Sequence, residues 1–475
     1  MQDKTTSVES GDTRIEKDLL GEARVPADAY FGIQTQRACE NFNLSGVPLY
    51  HYPQFIHALA LVKLSCAKAN HKLGTLNSQK LDAIKKSVKL IMEGKYHKEF
   101  VVDMIQGGAG TSTNMNANEV IANIGLEIMG YQKGQYHYLH PNNDVNLSQS
   151  TNDAYPSAAR LAILFNHCDL VSALTDLRGA FQGKADEFSD ILKIGRTQLQ
   201  DAVPMTLGQE FQAFATTLGE DIERIRGLSD LLKEINLGGT AIGTGINADP
   251  AYADLAVSNL AELSGFDFEQ ASDLVEASSD MGAFVLFSSM LKRLAIKLSK
   301  ISNDLRLLSM GPRCGIYEIN LPPQQPGSSI MPGKINPVIP EAVNQVAYQV
   351  IGNDLTVTMA AEAGQLQLNA MEPLIIYNIL SSIRQLTHAM NMLNQRCVSG
   401  ITANKERCQE LAGKSIGIIT AITPTIGYEN ATRIAGIALE TDRNVLELVR
   451  EENLIDEATL IELMAPENMV RPKRK

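Results

Sequence analysis

The stretch that decides the fold runs from residue 284 to residue 308 and reads FVLFSSMLKRLAIKLSKISNDLRLL. Its apolar side chains recur at alternating steps of three and four residues, which predicts one long amphipathic α-helix that ends before Gly311-Pro312. An apolar stripe of this length needs partner helices to cover it. The stripe consists of Phe284, Phe287, Leu291, Leu294, Leu298, Ile301, Leu305 and Leu308.

Four other stretches carry comparable stripes and predict the partner helices. One covers residues 211–235, and the others lie at about 156–188, 338–362 and 374–397. Five long helices indicate an elongated helical bundle, and sparse strand signals support a mainly α fold class. One bundle would leave some of the many apolar positions uncovered, which predicts a homo-oligomer; a single large monomer core is the alternative.

The 475-residue chain is long enough for two or three domains. We expect an N-terminal, mixed but mostly helical domain at 1–148, a central helical-bundle domain at 149–400, and a small helical C-terminal domain at 401–475. The charged and hydroxyl-rich composition of residues 1 to about 20 predicts disorder. Helical periodicity begins at about residue 54.

The charge balance and the termini restrict the class of partner. With 54 acidic and 42 basic residues, the net charge of -12 disfavours nucleic-acid binding, because little basic surface is available to neutralise phosphates. The basic tail at 471–475 is better explained as a solvated terminus than as a binding signal. Residues 1–20 contain no apolar signal core, and no run is long enough to span a bilayer, so we expect a soluble cytoplasmic protein.

Cysteine and histidine spacing gives no indication of a disulfide framework or a metal site. The six cysteines are scattered without a C-x-x-C pair, which favours reduced thiols. The eight histidines form no recognisable metal-ligand spacing. We therefore expect no required cofactor, although an activating divalent cation would leave no trace in the sequence.

Two polar stretches stand before predicted helices and suit an anionic ligand. Residues 106–119 combine a glycine run with small polar side chains, without the spacing of a dinucleotide-binding or phosphate-binding nucleotide loop. A tight turn with ordinary helix capping explains that stretch equally well. Residues 140–153 contain more polar groups than one cap needs, which favours a ligand site there.

A third polar stretch, residues 325–337, reads QPGSSIMPGKINP. Its prolines exclude a continuous helix, and its glycines permit positive φ and close backbone approach. Two hydroxyls, an ammonium and a carboxamide within this frame predict a mobile loop that binds an anion, with an ordinary surface loop as the alternative.

Residues 327–337, GSSIMPGKINP, resemble the signature loop of the fumarase/aspartase superfamily, whose general pattern is G-S-S-x-M-P-x-K-x-N-P. Other segments resemble the family in the expected order, and only the two tails fall outside. The resemblance implies a three-domain fold whose central five-helix bundle assembles into a homotetramer, with each active site at a junction of three subunits. The further segments are 107–120, 140–156, 195–210, 238–247 and 303–315.

Within the superfamily, the chain looks like the aspartate ammonia-lyase branch at 110–114, 150–156 and 366–373. Gln198 follows Gly-Arg-Thr where fumarases typically carry a histidine paired with the glutamate that matches Glu341. A protonated amine leaves as neutral ammonia, whereas hydroxide benefits from a general acid, and a glutamine supplies no proton. The implied reaction is reversible β-elimination of ammonium from L-aspartate to give fumarate. The alternatives are a fumarase and a non-catalytic structural protein on the same scaffold.

The resemblance also implies roles for individual residues. Ser328 would be the base, acting as an alkoxide that removes a proton from the carbon beside a carboxylate and produces an enediolate-like intermediate. The carboxylate that takes up charge would meet Thr111, Ser150, Thr151 and Ser329. The other carboxylate would meet Thr197, Lys334 and Asn336, and the amino group would lie near Asn152, with Gln198 and Thr111 as additional contacts.

Overall fold

A computed structural model of the protein describes residues 12–470, and these residues are mainly α-helical, as predicted. They form two compact units. The first unit comprises the described residues up to Leu170 together with Ile225–Lys292 and Gln349–Arg384, and the second comprises Val171–Arg224, Arg293–Tyr348 and the described residues from Gln385 onward. The expected division into three sequential domains stays a prediction.

The described helices are numbered in chain order. They are α1 (Ile33–Asn41), α2 (Pro53–Lys72), α3 (Ser78–Met92), α4 (Thr111–Ile128), α5 (Thr151–Glu187), α6 (Leu207–Gly227), α7 (Tyr252–Ser264), α8 (Gly282–Leu308), α9 (Val338–Glu362), α10 (Glu372–Arg396), α11 (Lys405–Lys414), α12 (Ile419–Ile426), α13 (Tyr428–Thr441), α14 (Val445–Glu451), α15 (Glu457–Leu463) and α16 (Pro466–Met469).

The described strands are short and pair two by two. They are β1 (Thr13–Asp18) with β2 (Gly21–Pro26), β3 (Leu192–Thr197) with β4 (Gln200–Thr206), β5 (Glu234–Ile235) with β6 (Glu269–Gln270), and β7 (Ile319–Asn320) with β8 (Thr402–Ala403). Among the strand pairs of residues 12–470, only β5 and β6 run parallel.

The five predicted long helices are present as α5, α6, α8, α9 and α10. Helix α6 is shorter than its apolar stripe indicates, because the chain continues after Gly227 as a 3₁₀ turn at Leu228–Leu232 and then as β5. Helix α5 begins at Thr151, earlier than expected, and contains Pro156 within its length.

The predicted disorder of residues 1 to about 20 is wrong where it can be checked. Residues Thr13–Asp18 form β1, which pairs antiparallel with β2 from Thr13↔Pro26 to Asp18↔Gly21. The Arg14 guanidinium donates to the carbonyl of Ala29 at 2.7 Å and to that of Phe31 at 2.5 Å, which ties the strand to the following segment. The remaining N-terminal residues and the basic tail at 471–475 lie outside the described residues.

Each unit has its own apolar core. In the first, α2, α3, α4 and α7 pack together, and Phe55 and Tyr155 meet edge to face with ring centroids 5.5 Å apart. In the second, Phe181, Phe211 and Phe214 form an aromatic cluster. Across residues 12–470, none of the helices combines the length and the apolar character needed to cross a membrane.

Candidate active site

Thr111 begins α4 directly after a glycine-rich turn in the first unit. Gly110 has φ +91°, and a Cβ at this position would lie 2.4 Å from the Tyr155 ring. Only glycine therefore fits without displacing the ring or straining the backbone. The Thr111 hydroxyl donates to the carbonyl of Gly108 at 2.7 Å, and its side chain lies at an exposed position.

Ser150, Thr151 and Asn152 lie at the start of α5, also in the first unit, and the neighbouring Asp153 fixes their backbone. The buried Asp153 carboxylate accepts from the amide of Ser150 at 3.0 Å and from the amides of Gly238 and Thr240 at 3.1 and 3.0 Å. Burial raises the pKa of Asp153 to about 6, and these hydrogen bonds oppose that shift. The carboxylate thus joins the start of α5 to the 238–240 turn.

The same turn orients Asn152. Its carboxamide donates to the carbonyl of Ala241 at 2.7 Å. Pro156 has no N–H to donate to the Asn152 carbonyl four residues earlier, and Asn236 donates to that carbonyl instead at 2.9 Å. This external donor allows α5 to begin before its proline.

Lys63 is the main feature of this region that sequence reasoning missed. It lies on α2, is 0% exposed, and donates from Nζ to the carboxamide oxygens of Asn114 at 2.5 Å, Asn146 at 2.9 Å and Gln149 at 2.8 Å. Burial lowers the pKa of Lys63 to about 8. A single lysine in the otherwise apolar run Leu59 to Leu64 was the available signal.

Asn114 connects this network to Thr151. Its Nδ2 donates to Thr151 Oγ1 at 3.2 Å and to Asn146 Oδ1 at 3.1 Å. We call Lys63, Asn114, Asn146, Gln149 and Thr151 the Lys63 network. It brings two of the sequence-derived polar stretches, 106–119 and 140–153, into direct contact.

In the second unit, Thr197 and Gln198 lie at the tip of the β3–β4 hairpin. Thr197 pairs with Gln200, and the two turn residues, Gln198 and Leu199, have φ +55° and +62°. Positive φ at both turn positions is the geometry of a tight type I′ hairpin, although neither residue is glycine or asparagine. The Thr197 and Gln198 side chains are exposed.

A buried group of charges supports the base of this hairpin. The Glu318 carboxylate, 0% exposed, accepts from Arg196 at 2.9 Å and lies 2.8 Å from Lys193 Nζ. Lys193 also pairs with Glu210. Arg196 immediately precedes Thr197, so these ion pairs hold the strand that carries the tip.

The 325–337 loop, also in the second unit, presents Ser328 to two backbone donors. Ser328 Oγ accepts from the amide of Ile330 at 3.1 Å and from that of Met331 at 3.0 Å. Two amides directed at one oxygen stabilise negative charge on it. These two amides therefore stabilise the alkoxide form of Ser328 relative to that of a serine without such donors.

The loop is closed mainly by its own backbone. The Gly327 amide donates to the carbonyl of Lys334 at 2.7 Å, and Asn336 Nδ2 donates to the carbonyl of Gly327 at 2.8 Å. A Cβ on residue 327 would lie 2.6 Å from the Lys334 carbonyl oxygen, so glycine is required there. The side chains of Ser329 and Lys334 are exposed.

A cavity of about 480 Å³ adjoins the loop within the second unit. Lys334 and Asn336 contribute to its wall, together with Arg306, Tyr317 and Asn320. Its basic and amide groups suit an anionic ligand.

The predicted site residues therefore fall into two groups, each within one unit. The first unit holds Thr111, Ser150, Thr151 and Asn152, and the second holds Thr197, Gln198, Ser328, Ser329, Lys334 and Asn336. Among residues 12–470 there is no cluster of three or more histidine, cysteine, aspartate or glutamate side chains arranged to hold a metal ion.

Comparison with known families covers almost the whole chain. A sequence model described as lyase matches residues 21–352, and one described as fumarase C C-terminus matches residues 418–471. The chain is 67% identical over 462 residues to an aspartate ammonia-lyase of Pseudomonas aeruginosa, covering 97% of this chain and 98% of that protein. It is 53% identical to the aspartate ammonia-lyase of Escherichia coli strain K12, covering 98% of each.

Solved structures agree with the fold. A Brucella melitensis protein described as fumarate lyase:delta crystallin bound to cobalt shares 57% identity with a TM-score of 0.94, covering 97% of this chain and 100% of that one. A class II fumarase of Schistosoma mansoni shares 34% identity with a TM-score of 0.91, covering 98% and 100%. Identity is thus higher to the ammonia-lyases than to this fumarase.

Proposed function

This chain belongs to the aspartate ammonia-lyase family of the fumarase/aspartase superfamily, a carbon-nitrogen lyase that interconverts L-aspartate with fumarate and ammonium, and we propose that Ser328 is the base of this elimination. The observation that carries the proposal is the pair of amides, from Ile330 and Met331, that donate to Ser328 Oγ at 3.1 and 3.0 Å. A serine hydroxyl is too weak an acid to ionise unaided, and two aligned donors lower the free energy of its alkoxide.

The substrate also develops negative charge that the protein must stabilise. Removal of a proton from the carbon beside a carboxylate places a second negative charge on that carboxylate. We assign Thr111, Ser150, Thr151 and Ser329 as the residues that meet this charge; to donate to it, the Thr111 hydroxyl must exchange its hydrogen bond to the Gly108 carbonyl for one to the substrate. The charge exists only in the intermediate and the flanking transition states, so donors directed at it raise the rate of turnover.

The other carboxylate is assigned to Thr197, Lys334 and Asn336. Lys334 provides a full positive charge, and the exposed position of its ammonium makes it accessible to a soluble dicarboxylate. Loop closure over the substrate would remove water from these contacts and strengthen them.

The amino group is assigned to Asn152, with Gln198 and Thr111 as additional contacts. The Asn152 carboxamide nitrogen donates to the Ala241 carbonyl, which leaves the Asn152 carboxamide oxygen available to accept from the substrate ammonium. Departure of neutral ammonia requires no general acid, and Gln198 is consistent with this. We propose that no cofactor is required, because acid-base and electrostatic groups suffice for this chemistry, and that a divalent cation acts at most as an activator.

We further propose a cytoplasmic homotetramer whose active sites combine residues of several subunits. Support comes from one face of α9, where Tyr348, Leu355 and Met359 are 60%, 63% and 65% exposed at helical spacing. Light scattering on the purified protein measures the assembly directly, and an active monomer would contradict the shared site.

An ammonium-dependence assay tests the function. We expect the protein to convert fumarate into aspartate when ammonium is present, and to leave fumarate unchanged in water alone. Malate formation without ammonium would identify a fumarase instead. A folded tetramer inactive in both reactions would favour the structural-protein alternative.

A further inference from the structure

Lys63 is buried without a carboxylate among its hydrogen-bond partners. Each of its three ammonium hydrogens has a carboxamide oxygen as acceptor, from Asn114, Asn146 and Gln149, at 2.5, 2.9 and 2.8 Å. Asp153, a nearby carboxylate whose charge acts on Lys63, has its oxygens occupied by the amides of Ser150, Gly238 and Thr240. The positive charge is therefore solvated by neutral dipoles rather than paired with an anion.

The ammonium determines which way the neighbouring carboxamides point. A lysine ammonium has donors and no acceptor, so it requires the oxygen of Asn114 to face it. The Asn114 nitrogen must then face the opposite way, toward Asn146 Oδ1 and Thr151 Oγ1. Asn146 Oδ1 is held in place in the same manner, because it also accepts from Lys63 and from Asn118 Nδ2 at 3.1 Å.

The orientation of the Asn114 carboxamide restricts the direction in which the Thr151 hydroxyl can donate its hydrogen. Its oxygen accepts from Asn114 Nδ2, so its hydrogen cannot lie on that contact. Within residues 12–470, the Thr151 hydroxyl donates to no acceptor. The Thr151 hydroxyl is therefore free to donate at the start of α5, beside Ser150 and Asn152.

We propose that Lys63 is a positioning residue for the elimination: through Asn114, it compels the Thr151 hydroxyl to donate toward the carboxylate that takes up charge. The inference rests on the proposed function, which assigns Thr151 to that carboxylate. Lys63 itself touches no reacting atom. Its unpaired charge also favours the doubly charged intermediate over the singly charged ground state.

An isosteric substitution that replaces the donating nitrogen of residue 114 by an accepting oxygen tests this role. In Asn114→Asp, the carboxylate still accepts from Lys63 but has no hydrogen to give, so the Thr151 hydroxyl must donate to residue 114 and turns away from substrate. We expect kcat/KM for aspartate to fall about 10- to 100-fold, mostly in kcat, with the unfolding midpoint maintained by the new ion pair. A purely structural role would leave kcat unchanged in a stable variant.

A double-mutant cycle with Thr151→Val separates this inference from the proposed function. Thr151→Val alone should lower kcat/KM about 10- to 100-fold, and Asn114→Asp should then have less than a twofold further effect. Near-normal activity in Thr151→Val would show that the assignment of Thr151 is wrong. A large loss in Thr151→Val beside a stable and fully active Asn114→Asp would overturn the role of Lys63.

A measurement on the unaltered protein covers the case in which Asn114→Asp does not fold. Neutron diffraction from deuterated crystals locates the exchangeable hydrogens directly. We expect three deuterons on Lys63 Nζ, deuterium on the Asn114 atom facing Thr151, and the Thr151 deuteron directed away from Asn114. A Thr151 deuteron on the contact to Asn114 would refute the proposal.

Discussion

The Lys63 network and the 325–337 loop hold polar side chains by opposite means. In the network, a buried ammonium and three carboxamides fix one another, and each bond is made by a side chain. In the loop, backbone amides make most of the contacts, and Ile330, Met331 and Ile335 are 83%, 49% and 54% exposed. Side chains in the network are held by one another without a ligand, whereas those of Ser329 and Lys334 are exposed.

The difference implies a division of labour in catalysis. Preorganised donors suit a charge that appears transiently, because no reorganisation is needed at the moment of reaction. An exposed loop suits the residue that must reach the substrate and then release the product. Substitutions in the loop should therefore affect rate alone, whereas network substitutions that leave a buried polar group unpaired should lower stability as well as rate.

The largest effect is expected from Ser328→Ala. Loss of the base should lower kcat by about 10³-fold or more, with the unfolding midpoint unchanged because the side chain makes no buried contact. Single-turnover kinetics and thermal unfolding measure the two quantities. Ser329→Ala is the matched control in the same loop, and we expect a smaller loss there, of about 10- to 100-fold. Ser328→Ala retaining kcat within tenfold would remove Ser328 from the role of base.

Gly110→Ala should give the largest loss of stability. A Cβ there lies 2.4 Å from the Tyr155 ring and the backbone has φ +91°, so we expect the free energy of unfolding to fall by about 4 kcal/mol. The control is Gly130→Ala in the same unit, where φ is +87° and nothing lies within 4 Å. It should cost only about 1 kcal/mol, and equal losses at the two positions would mean that the ring contact contributes little.

Glu372→Gln tests whether the ionised form of the buried Glu372 carboxyl lowers the free energy of unfolding. Burial raises the pKa of Glu372 from 4.5 to about 8, and among residues 12–470 neither carboxylate oxygen has a hydrogen-bond partner. Between these pH values the folded protein binds more protons at Glu372 than the unfolded chain does, so its contribution to stability falls as the pH rises.

The glutamine variant lacks this titration. We expect it to match the parent below about pH 4.5 and to be more stable by about 5 kcal/mol above about pH 8, as measured by denaturant unfolding across that range. A difference between the two proteins that does not depend on pH would contradict the assignment of the raised pKa.

The smallest effect is expected from Gly333→Ala. Gly333 has φ +81° and open space around it, so an alanine would cost only backbone strain of about 1 kcal/mol, within the loop. We expect kcat/KM to fall about fivefold, with the free energy of unfolding lowered by no more than about 1 kcal/mol. A fall in stability as large as that of Gly110→Ala would show that the loop is packed as tightly as the network region.

Helix content was predictable from sequence because packing against other helices leaves a three-and-four spacing, as in α8. Helix boundaries were less predictable. Helix α5 begins ahead of Pro156 because Asn236, 84 residues away from Asn152 in the chain, donates to the Asn152 carbonyl. The β3–β4 hairpin escaped detection because Gln198 and Leu199 are not typical of a turn with positive φ at both positions.

The candidate site was predictable only in part. Residues in the glycine-rich and hydroxyl-rich stretches stand out because such composition is unusual between long helices. Lys63 does not, since one lysine in an apolar helix usually extends its ammonium to solvent. Its contacts with Asn114, Asn146 and Gln149 join residues 51 to 86 positions apart, and the fold alone brings them together.

The left-handed backbone at Gln198 has a consequence for which substitutions this position can accept. Histidine, like asparagine and aspartate, tolerates that backbone region better than most residues do. Glutamine and histidine codons differ only at the third base. A single nucleotide change can therefore place an imidazole at the hairpin tip without rebuilding the backbone.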